Sequence, residues 1–203
     1  MAWTRKVAMG MTSPYDGRRD AAPKVVDWTR RVEEARGLDR VARLVQPAAD
    51  ALVADPHRRD LLQGMWLGHA LHPVLTDLPI GFWTSVNVLD LVGGKQSRPA
   101  ADRLLVMGLL SALPTALTGL AEWATTAGRE QRVGVVHAGA NTVALGLYTA
   151  SWRARRRDRH ARGVLLALAG SASAAAGGYL GGHLTAVRKV SSRHPGFGNP
   201  AAI

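Results

Sequence analysis

The 203-residue chain contains no cysteine, and this absence excludes several kinds of site. Without thiols the protein cannot form a disulfide bond or hold an iron–sulphur cluster, and it cannot ligate haem through a thiolate or attach haem covalently. Any haem or metal bound by this chain must therefore be held by other side chains, of which histidine and the carboxylates are the first candidates.

The sequence also lacks the short motifs of common enzymes and a visible signal peptide. It contains no phosphate-binding loop, Rossmann glycine pattern or nucleophile–base signature, so we predict no catalytic residues and do not expect an enzyme. The first twenty residues are charged and have no apolar core region. Membrane insertion is therefore expected to depend on internal segments.

Charged residues are missing from three long stretches in the last two thirds of the chain. Asp, Glu, Lys and Arg are all absent from 104–121, 133–152 and 163–187. A helix needs roughly 20 apolar residues to cross a hydrocarbon core of about 30 Å, so these stretches predict membrane-spanning helices. A fourth and weaker candidate is 78–89, for which a buried helix of a soluble protein is the alternative.

The short connections between these segments predict an all-α protein, with a four-helix transmembrane bundle of up-down-up-down topology. Residues 1–22 are expected to be disordered, 23–60 to form an amphipathic helical extension, 61–187 to form the bundle, and 188–203 to be a flexible tail.

The predicted extension carries an apolar stripe at helical spacing and two helix breakers. The stripe consists of Leu38, Val41, Leu44 and Val45. Gly37 and Pro47 are predicted to interrupt the helix. This segment would lie on lipid headgroups, pack against a partner helix, or form a solvated helical hairpin docked on the chain's own bundle.

The formal net charge of +11 raises the question of nucleic acid. In a membrane protein, basic loops beside anionic headgroups explain this charge better, so we predict a lipid bilayer and no nucleic acid as partner. The balance of Lys and Arg in short loops places the arginine-rich loop 153–162, and the connection that contains Lys95, Arg98 and Arg103, in the cytoplasm.

The apolar stretch LGHALHPVLTDLPIGFW contains polar residues that hydrocarbon disfavours, namely His69, His72 and Asp77. Because a proline restricts the residue before it, Pro73 predicts a break over 72–77, with the spanning helix beginning near Leu78. Asp77 is then either the N-cap of that helix or part of a site.

Alternating helix directions bring distant polar residues to one membrane face. The residues predicted to gather there are His69, His72, Asp77, Glu122, His137 and His183. His137 and His183 each lie five residues inside an arginine, roughly 7 to 8 Å deep at about 1.5 Å per residue. Two imidazoles at matched depth could share a metal, with Asn141 orienting them. Taken singly, each histidine is explained more simply by a hydrogen bond to a carbonyl or a headgroup.

The last helix has a nearly bare face. Its small residues recur every fourth position, at Gly170, Ala174, Gly178 and Gly182. Close helix packing is the default explanation for such a stripe, because helices in hydrocarbon associate through small residues. The alternative is that the bare face leaves room for a flat cofactor.

Four segments resemble the bacterial membrane family called domain of unknown function 2231: GHALHPVLTDLPIGFWTSVNVLDLVGG, LTGLAEWATT, RVGVVHAGANTVALGLYTASW and GGYLGGHL. The matching positions are His72 with Pro73, Pro79 with Gly81, Asp90, His137 with Asn141, and Gly182 with His183. The resemblance, over about 61–184, implies a multi-pass protein of the bacterial plasma membrane. Some relatives carry a Rieske iron–sulphur domain, which implies a Rieske-type or other redox partner, although the tail AVRKVSSRHPGFGNP departs from the family pattern.

Three functional hypotheses follow. The first is an electron-transfer component in which His137 and His183 ligate a b-type haem, with His72 as the competing axial ligand. Asp77 and Glu122 would tune its potential or proton uptake, and the glycine face of the last helix, including Gly178 and Gly182, would receive the macrocycle.

The second hypothesis is a non-haem site for a divalent transition metal such as zinc, copper or iron. Its ligands would come from His69, His72, Glu122, His137 and His183. The third is a non-catalytic anchor or scaffold for a redox partner, in which the polar cluster only locks the bundle; a homo-oligomer is compatible with each of the three.

Overall fold

The computed structural model describes residues 22–197. Within that range it contains seven α-helices and no β-strand, so the predicted all-α class is confirmed. The helices are α1 (Lys24–Glu34), α2 (Leu38–Val53), α3 (Pro56–Leu62), α4 (Leu71–Val92), α5 (Arg98–Trp123), α6 (Gly128–Arg155) and α7 (His160–Gly182), which continues as a π-helical turn, His183–Val187. The predicted disorder of 1–22 falls almost wholly outside the described residues.

The four long helices, α4 to α7, form two antiparallel hairpins. α4 packs on α5 and α6 packs on α7, and the hairpins meet through α5 with α6 and α4 with α7. We call the end where α4 and α6 begin the histidine end, and the opposite end the arginine end. The three shorter helices, α1 to α3, pack on α5 and α6 at the histidine end and form a cap.

Two of the long helices are long and apolar enough to cross a membrane by length and composition. They are α5 with the turn before it, Lys95–Trp123, and α7 with its π-helical turn, His160–Val187. Among the helices between residues 22 and 197, α4 and α6 do not reach the same standard. α4 contains two aspartates, a histidine and two prolines, and α6 has arginines in both its first and last turns.

The long helices direct large apolar side chains outward and small residues inward. Exposed examples are Leu78, Val88, Leu91, Met107, Leu110, Leu113, Val143 and Leu165. Buried positions are mostly small or hydroxyl-bearing, and include Ala101, Gly108, Thr115, Thr118, Ala144, Ser151, Ala167 and Gly170. This distribution is typical of helices in hydrocarbon, where small residues allow close backbone approach and water provides no force to bury the large ones.

The predicted break before residue 78 is wrong, because α4 begins at Leu71 and runs without interruption. Pro73 is the third residue of the helix, where a backbone N–H has no intrahelical acceptor and proline therefore removes no hydrogen bond. Asp77 is consequently not an N-cap; it lies in the second turn with its side chain exposed.

The extension differs from its prediction in one respect, at Pro47. The break at Gly37 is confirmed, but Pro47 lies inside a continuous α2. The apolar stripe faces away from the bundle, with Leu44 77% exposed, while the small side chains of Ala42 and Ala49 are buried. The alternative in which the extension docks on the chain's own bundle is therefore confirmed, with α2 approaching α5 and α6 through its alanines rather than through the apolar stripe.

An ion pair and amide hydrogen bonds hold the cap on the bundle. Arg132 of α6 donates to both carboxylate oxygens of Asp39, at 2.6 and 3.0 Å, and to the Glu33 carbonyl at 2.9 Å. Gln63 of the cap donates to the Ala121 carbonyl at 3.0 Å. The cap thus covers the histidine end through directed polar contacts.

The tail returns to the histidine end over its described part, whereas the sequence predicted a flexible segment. The Ser192 backbone N–H and hydroxyl both donate to Glu122 Oε2 at 2.9 Å, and the His194 N–H donates to the Gly68 carbonyl at 2.9 Å. Phe197 lies against Gly68. Residues 198–203 lie outside the described range.

The centre of the bundle contains an aromatic stack that depends on a glycine. Trp83 of α4 and Tyr148 of α6 are stacked with ring centroids 4.0 Å apart and planes 14° from parallel. A Cβ at Gly108 of α5 would lie 2.5 Å from Trp83 Cδ1. The glycine therefore provides the space for the indole ring.

Gly108→Ala should destabilise the bundle by about 1–3 kcal/mol, because the added methyl group overpacks a buried ring. The measurement is the unfolding midpoint in detergent. The matched control is Gly146→Ala in α6, where a Cβ meets no atom within 4 Å. There the change should be neutral or stabilising by up to about 1 kcal/mol through helix propensity. Equal effects of the two changes would contradict the assigned role of Gly108.

The cap should weaken in acid through Asp39. The hydrogen bond from Arg132 lowers the pKa of Asp39 below its ordinary value of 3.8. A carboxyl whose folded pKa is depressed stabilises the fold above its unfolded pKa, and that stabilisation is lost as pH falls through the folded pKa. Asp39→Asn should therefore lower the thermal midpoint at pH about 7, and the difference from wild type should shrink only as the pH falls below 3.8, through the folded pKa of Asp39.

The control for this experiment is Asp27→Asn in α1, since Asp27 has no ion-pair partner among the described residues. It should leave the pH profile unchanged. A profile for Asp39→Asn that runs parallel to wild type over the whole range would contradict the role of the Asp39–Arg132 pair.

Candidate functional site

Two histidines from different hairpins meet inside the bundle near the histidine end. The ring centroids of His72 on α4 and His137 on α6 are 6.1 Å apart, and the ring planes are at 85°. Both side chains are partly buried. The pair brings together two of the residues predicted as ligands, although they are 65 positions apart in the sequence.

Each imidazole is held by a backbone carbonyl of the neighbouring helix. His72 Nδ1 is 2.9 Å from the Thr115 carbonyl of α5, and His137 Nδ1 is 2.8 Å from the Gly177 carbonyl of α7. A carbonyl only accepts hydrogen bonds, so both Nδ1 atoms carry the proton and donate it. In the neutral ring, Nε2 then keeps its lone pair and is the atom free to bind a ligand.

Pro79 and Thr115 fix the position of His72 along the bundle axis. Pro79 has no N–H, so the Leu75 carbonyl one turn earlier lacks its usual helical donor. The Thr115 hydroxyl donates to this carbonyl at 3.1 Å, while the Thr115 carbonyl accepts from His72. One residue of α5 thus serves two groups of α4 and sets the register of the hairpin.

Glycines on the facing helices provide space for the site. A Cβ at Gly119 would lie 2.7 Å from His72 Cε1, and one at Gly181 would lie 3.1 Å from His137 Cε1. A Cβ at Gly177 would lie 2.7 Å from the side chain of Asn141, whose Nδ2 is 3.2 Å from His137 Nε2. The predicted proximity of Asn141 to His137 is therefore present in the structure.

The small-residue face of α7 differs from the predicted one. The glycines that pack against α6 are Gly163, Gly170, Gly177 and Gly181, whereas a Cβ at Gly178 or Gly182 would meet nothing within 4 Å. A helix has 3.6 residues per turn, so a stripe at every fourth residue rotates away from its neighbour after two turns. Gly178 and Gly182 thus do not face the histidines, and the face that does is filled by His137, Asn141 and Tyr148.

His183 has its hydrogen-bond partner in the cap and not in His137. His137 contacts α7 at Gly177 and Gly181. His183 lies farther toward the end, where its Nε2 is 2.8 Å from Glu33 Oε1 of the cap. Arg188 Nε is also 3.2 Å from this carboxylate oxygen. The sequence could not anticipate this, since it did not reveal where the extension packs.

The remaining predicted residues lie apart from the histidine pair. Glu122 is buried and bonded to Ser192 through Oε2, while its Oε1 has no partner. His69 is exposed and pairs through its backbone with Arg193, and Asp77 is exposed on α4. Between residues 22 and 197, no group of three or more histidine or acidic side chains is close enough to hold a metal ion. The five-residue ligand set proposed for a non-haem metal is therefore not assembled.

The histidine pair alone fits a site that needs two protein ligands. With metal–nitrogen bonds of about 2.0–2.1 Å, two imidazoles on one ion have centroids about 5–6.5 Å apart, a range that includes the observed separation. Structural zinc requires four ligands, whereas haem iron takes only axial ligands from the protein. The donors therefore fit axial ligation, provided that the Asn141 amide turns away from His137 Nε2.

A buried ion pair at the arginine end was not predicted from the sequence. The guanidinium of Arg155 on α6 donates hydrogen bonds to both carboxylate oxygens of Asp90 on α4. Each of the two side chains is only 1% exposed. Arg155 also donates to Ser151 at 3.2 Å and lies 3.4 Å from Asp102. Arg155 falls within the predicted loop 153–162 but is the last residue of α6. An aspartate in an apolar segment implies a cation, but the sequence offers several neighbouring arginines and no means to choose among them.

Comparison with known proteins identifies a family of predicted membrane proteins. The family model described as "Predicted membrane protein (DUF2231)" matches residues 68–194, which is more than half of the chain. No match was found among curated proteins or among solved structures. The matched range contains α4 to α7, the histidine pair and the buried Asp90–Arg155 pair. The chain belongs to the DUF2231 family of predicted membrane proteins.

Proposed function

We propose that this chain is a multi-pass protein of the bacterial plasma membrane in which α4 to α7 all cross the bilayer as an up-down-up-down bundle. The family description and the two long apolar helices support a membrane location. The outward-facing leucines and valines of all four helices support lipid contact for α4 and α6 as well. The segments 23–60 and 61–187 then correspond to a cap and a transmembrane domain.

The polar residues of α4 and α6 are compatible with this placement because they have partners inside the bundle. Ionisable groups within a bilayer normally face the interior and pair with other groups or with backbone carbonyls. His72 and His137 each bond a carbonyl, and Asp90 pairs with Arg155. Each of these interactions joins two different helices, so the groups that hydrocarbon would disfavour also specify the packing.

Within this bundle, the His72–His137 pair is our proposed cofactor site, whose two imidazoles would hold a b-type haem. The observation that carries the proposal is that both Nδ1 atoms are engaged by carbonyls at 2.8–2.9 Å, which makes Nε2 the atom of each ring that would bind the cofactor. When bound, haem would supply one-electron redox chemistry. His183, bonded to Glu33, is not part of this ligand pair.

The chain's own residues would orient the two rings and set their basicity. A ligating histidine usually donates its other N–H to a carbonyl or carboxylate, which fixes the ring and raises the basicity of the ligating nitrogen. The Thr115 and Gly177 carbonyls occupy these positions. The Asn141 amide, 3.2 Å from His137 Nε2, would have to rotate for ligation.

A second candidate is a non-catalytic anchor or scaffold for a redox partner, such as a Rieske-type protein. Such a scaffold could also form a homo-oligomer. The observation in its favour is that each histidine already closes its own hairpin through a hydrogen bond. In that case the pair has only a structural role, worth about 1 kcal/mol for each hydrogen bond.

Because the chain has no cysteine, single cysteines can report on the crossings of α5 and α6, the two helices that separate the labelled positions. Gln96→Cys and Arg157→Cys lie in the connections of the arginine end, and Ala127→Cys lies in the connection of the histidine end. The positive-inside rule places the arginine end in the cytoplasm. A membrane-impermeant thiol reagent should therefore label only position 127 in intact spheroplasts, and all three positions after permeabilisation. Labelling of all three from the same side would contradict four crossings.

The absorption spectrum of the purified protein tests the cofactor. A b-type haem should give a Soret band that is lost in His72→Gln and His137→Gln, since glutamine keeps a donor for the carbonyl but is a poor ligand. The exposed His57→Ala is the control and should retain the band. Metal analysis on the same samples detects a non-haem ion. Absence of both haem and metal would favour the scaffold.

A further inference from the structure

The arginine end contains a cavity of about 480 Å³ with basic side chains on its wall. It lies between the end of α4, the α4–α5 connection and the start of α7. Its positively charged or protonatable lining residues are Lys95, Arg98 and His160. Among the described residues, no carboxylate lies within 4.0 Å of the charged nitrogens of Lys95 or Arg98.

The acidic residue in the wall does not cancel this charge. Asp90 lines the cavity, but both of its oxygens are engaged by Arg155 and its side chain is only 1% exposed. His160 Nε2 is 3.9 Å from Asp90, beyond hydrogen-bonding distance. The first turns of α5 and α7 also border the cavity and add the partial positive charge of helix N-termini. The cavity is therefore positive without an internal counter-ion.

An apolar surface continues from the cavity toward the middle of the bundle. Val164 and Leu165 of α7 line the cavity itself, and α7 packs beside α4. Large exposed residues follow on both helices: Val88, Leu91 and Val92 on α4, and Leu165 and Leu168 on α7. A ligand that used the whole feature would need an anionic head and a long apolar chain.

We propose that this cavity binds the headgroup of an anionic phospholipid, with an acyl chain along the exposed apolar surface of α4 and α7. A free phosphate would use only the cations, and a zwitterionic lipid would bring an ammonium group toward Lys95 and Arg98. The positive-inside rule places this end at the cytoplasmic leaflet, where anionic lipids are concentrated. The inference rests on the proposed membrane placement but not on the cofactor.

The test compares lipids on the detergent-purified full chain, with bound lipid read by native mass spectrometry and stability by the thermal midpoint. Phosphatidylglycerol should bind and raise the midpoint, whereas phosphatidylcholine and inorganic phosphate should not. Lys95→Gln/Arg98→Gln should weaken phosphatidylglycerol binding about fivefold for each cation removed, or about 25-fold. The control Arg156→Gln/Arg157→Gln removes two exposed charges at the same end but outside the cavity. It should change binding less than about twofold.

Equal losses in the two double variants would overturn the proposal, because they would indicate general charge attraction. Equal stabilisation by inorganic phosphate would reassign the cavity to a soluble anion, and equal binding of phosphatidylcholine would remove the headgroup preference. Failure of the proposed function would be recognised by other results. Labelling of all three cysteines from one side would contradict the membrane placement, and absence of a Soret band would contradict the cofactor.

Discussion

Hydrogen bonds from side chains to backbone carbonyls of a neighbouring helix recur through this bundle, and the rest of the structure depends on them. In hydrocarbon there is no water to satisfy a polar group, so each one must find a partner within the protein. His72 uses the Thr115 carbonyl, His137 uses the Gly177 carbonyl, and the Thr115 hydroxyl uses the carbonyl that Pro79 leaves free. These bonds set the depth at which the two hairpins bring their imidazoles together.

The polar groups at the two ends of the bundle obtain their partners in different ways. At the histidine end, polar groups are covered by the cap: Glu33 reaches His183, and Asp39 reaches Arg132. At the arginine end, Asp90 and Arg155 satisfy each other in a pair that is almost fully buried. A pair of this kind is costly to break, since removing one partner leaves an unpaired buried charge. We infer that it specifies how the α4–α5 hairpin packs against the α6–α7 hairpin, while the basic residues around it remain free to meet an anion.

The placement of the histidines changes which cofactor geometry is reasonable. The sequence predicts that six polar residues gather at one end of the bundle. Their side chains point in different directions, so they make separate contacts. Only His72 and His137 face each other, and the glycines beside them are Gly119 and Gly181 rather than Gly178 and Gly182. Two imidazoles suit an axial pair better than a complete non-haem site, which is why the proposed ligands differ from the pair His137 and His183 that depth alone had suggested.

The sequence by itself determined the helical class and the apolar character of α5 and α7, because these follow from local composition. It also determined the end of the bundle at which the histidines lie, because this follows from the order of the helices along the chain. It could not determine where α4 begins, since Pro73 breaks a helix in the interior but not in its first turn. Only the tertiary structure decided that His72 is the neighbour of His137, that His183 belongs to Glu33, and that Arg155 is the partner of Asp90. Those pairings depend on the rotation and depth of each helix against its neighbours, and a few degrees per residue accumulate over several turns into a different contact face.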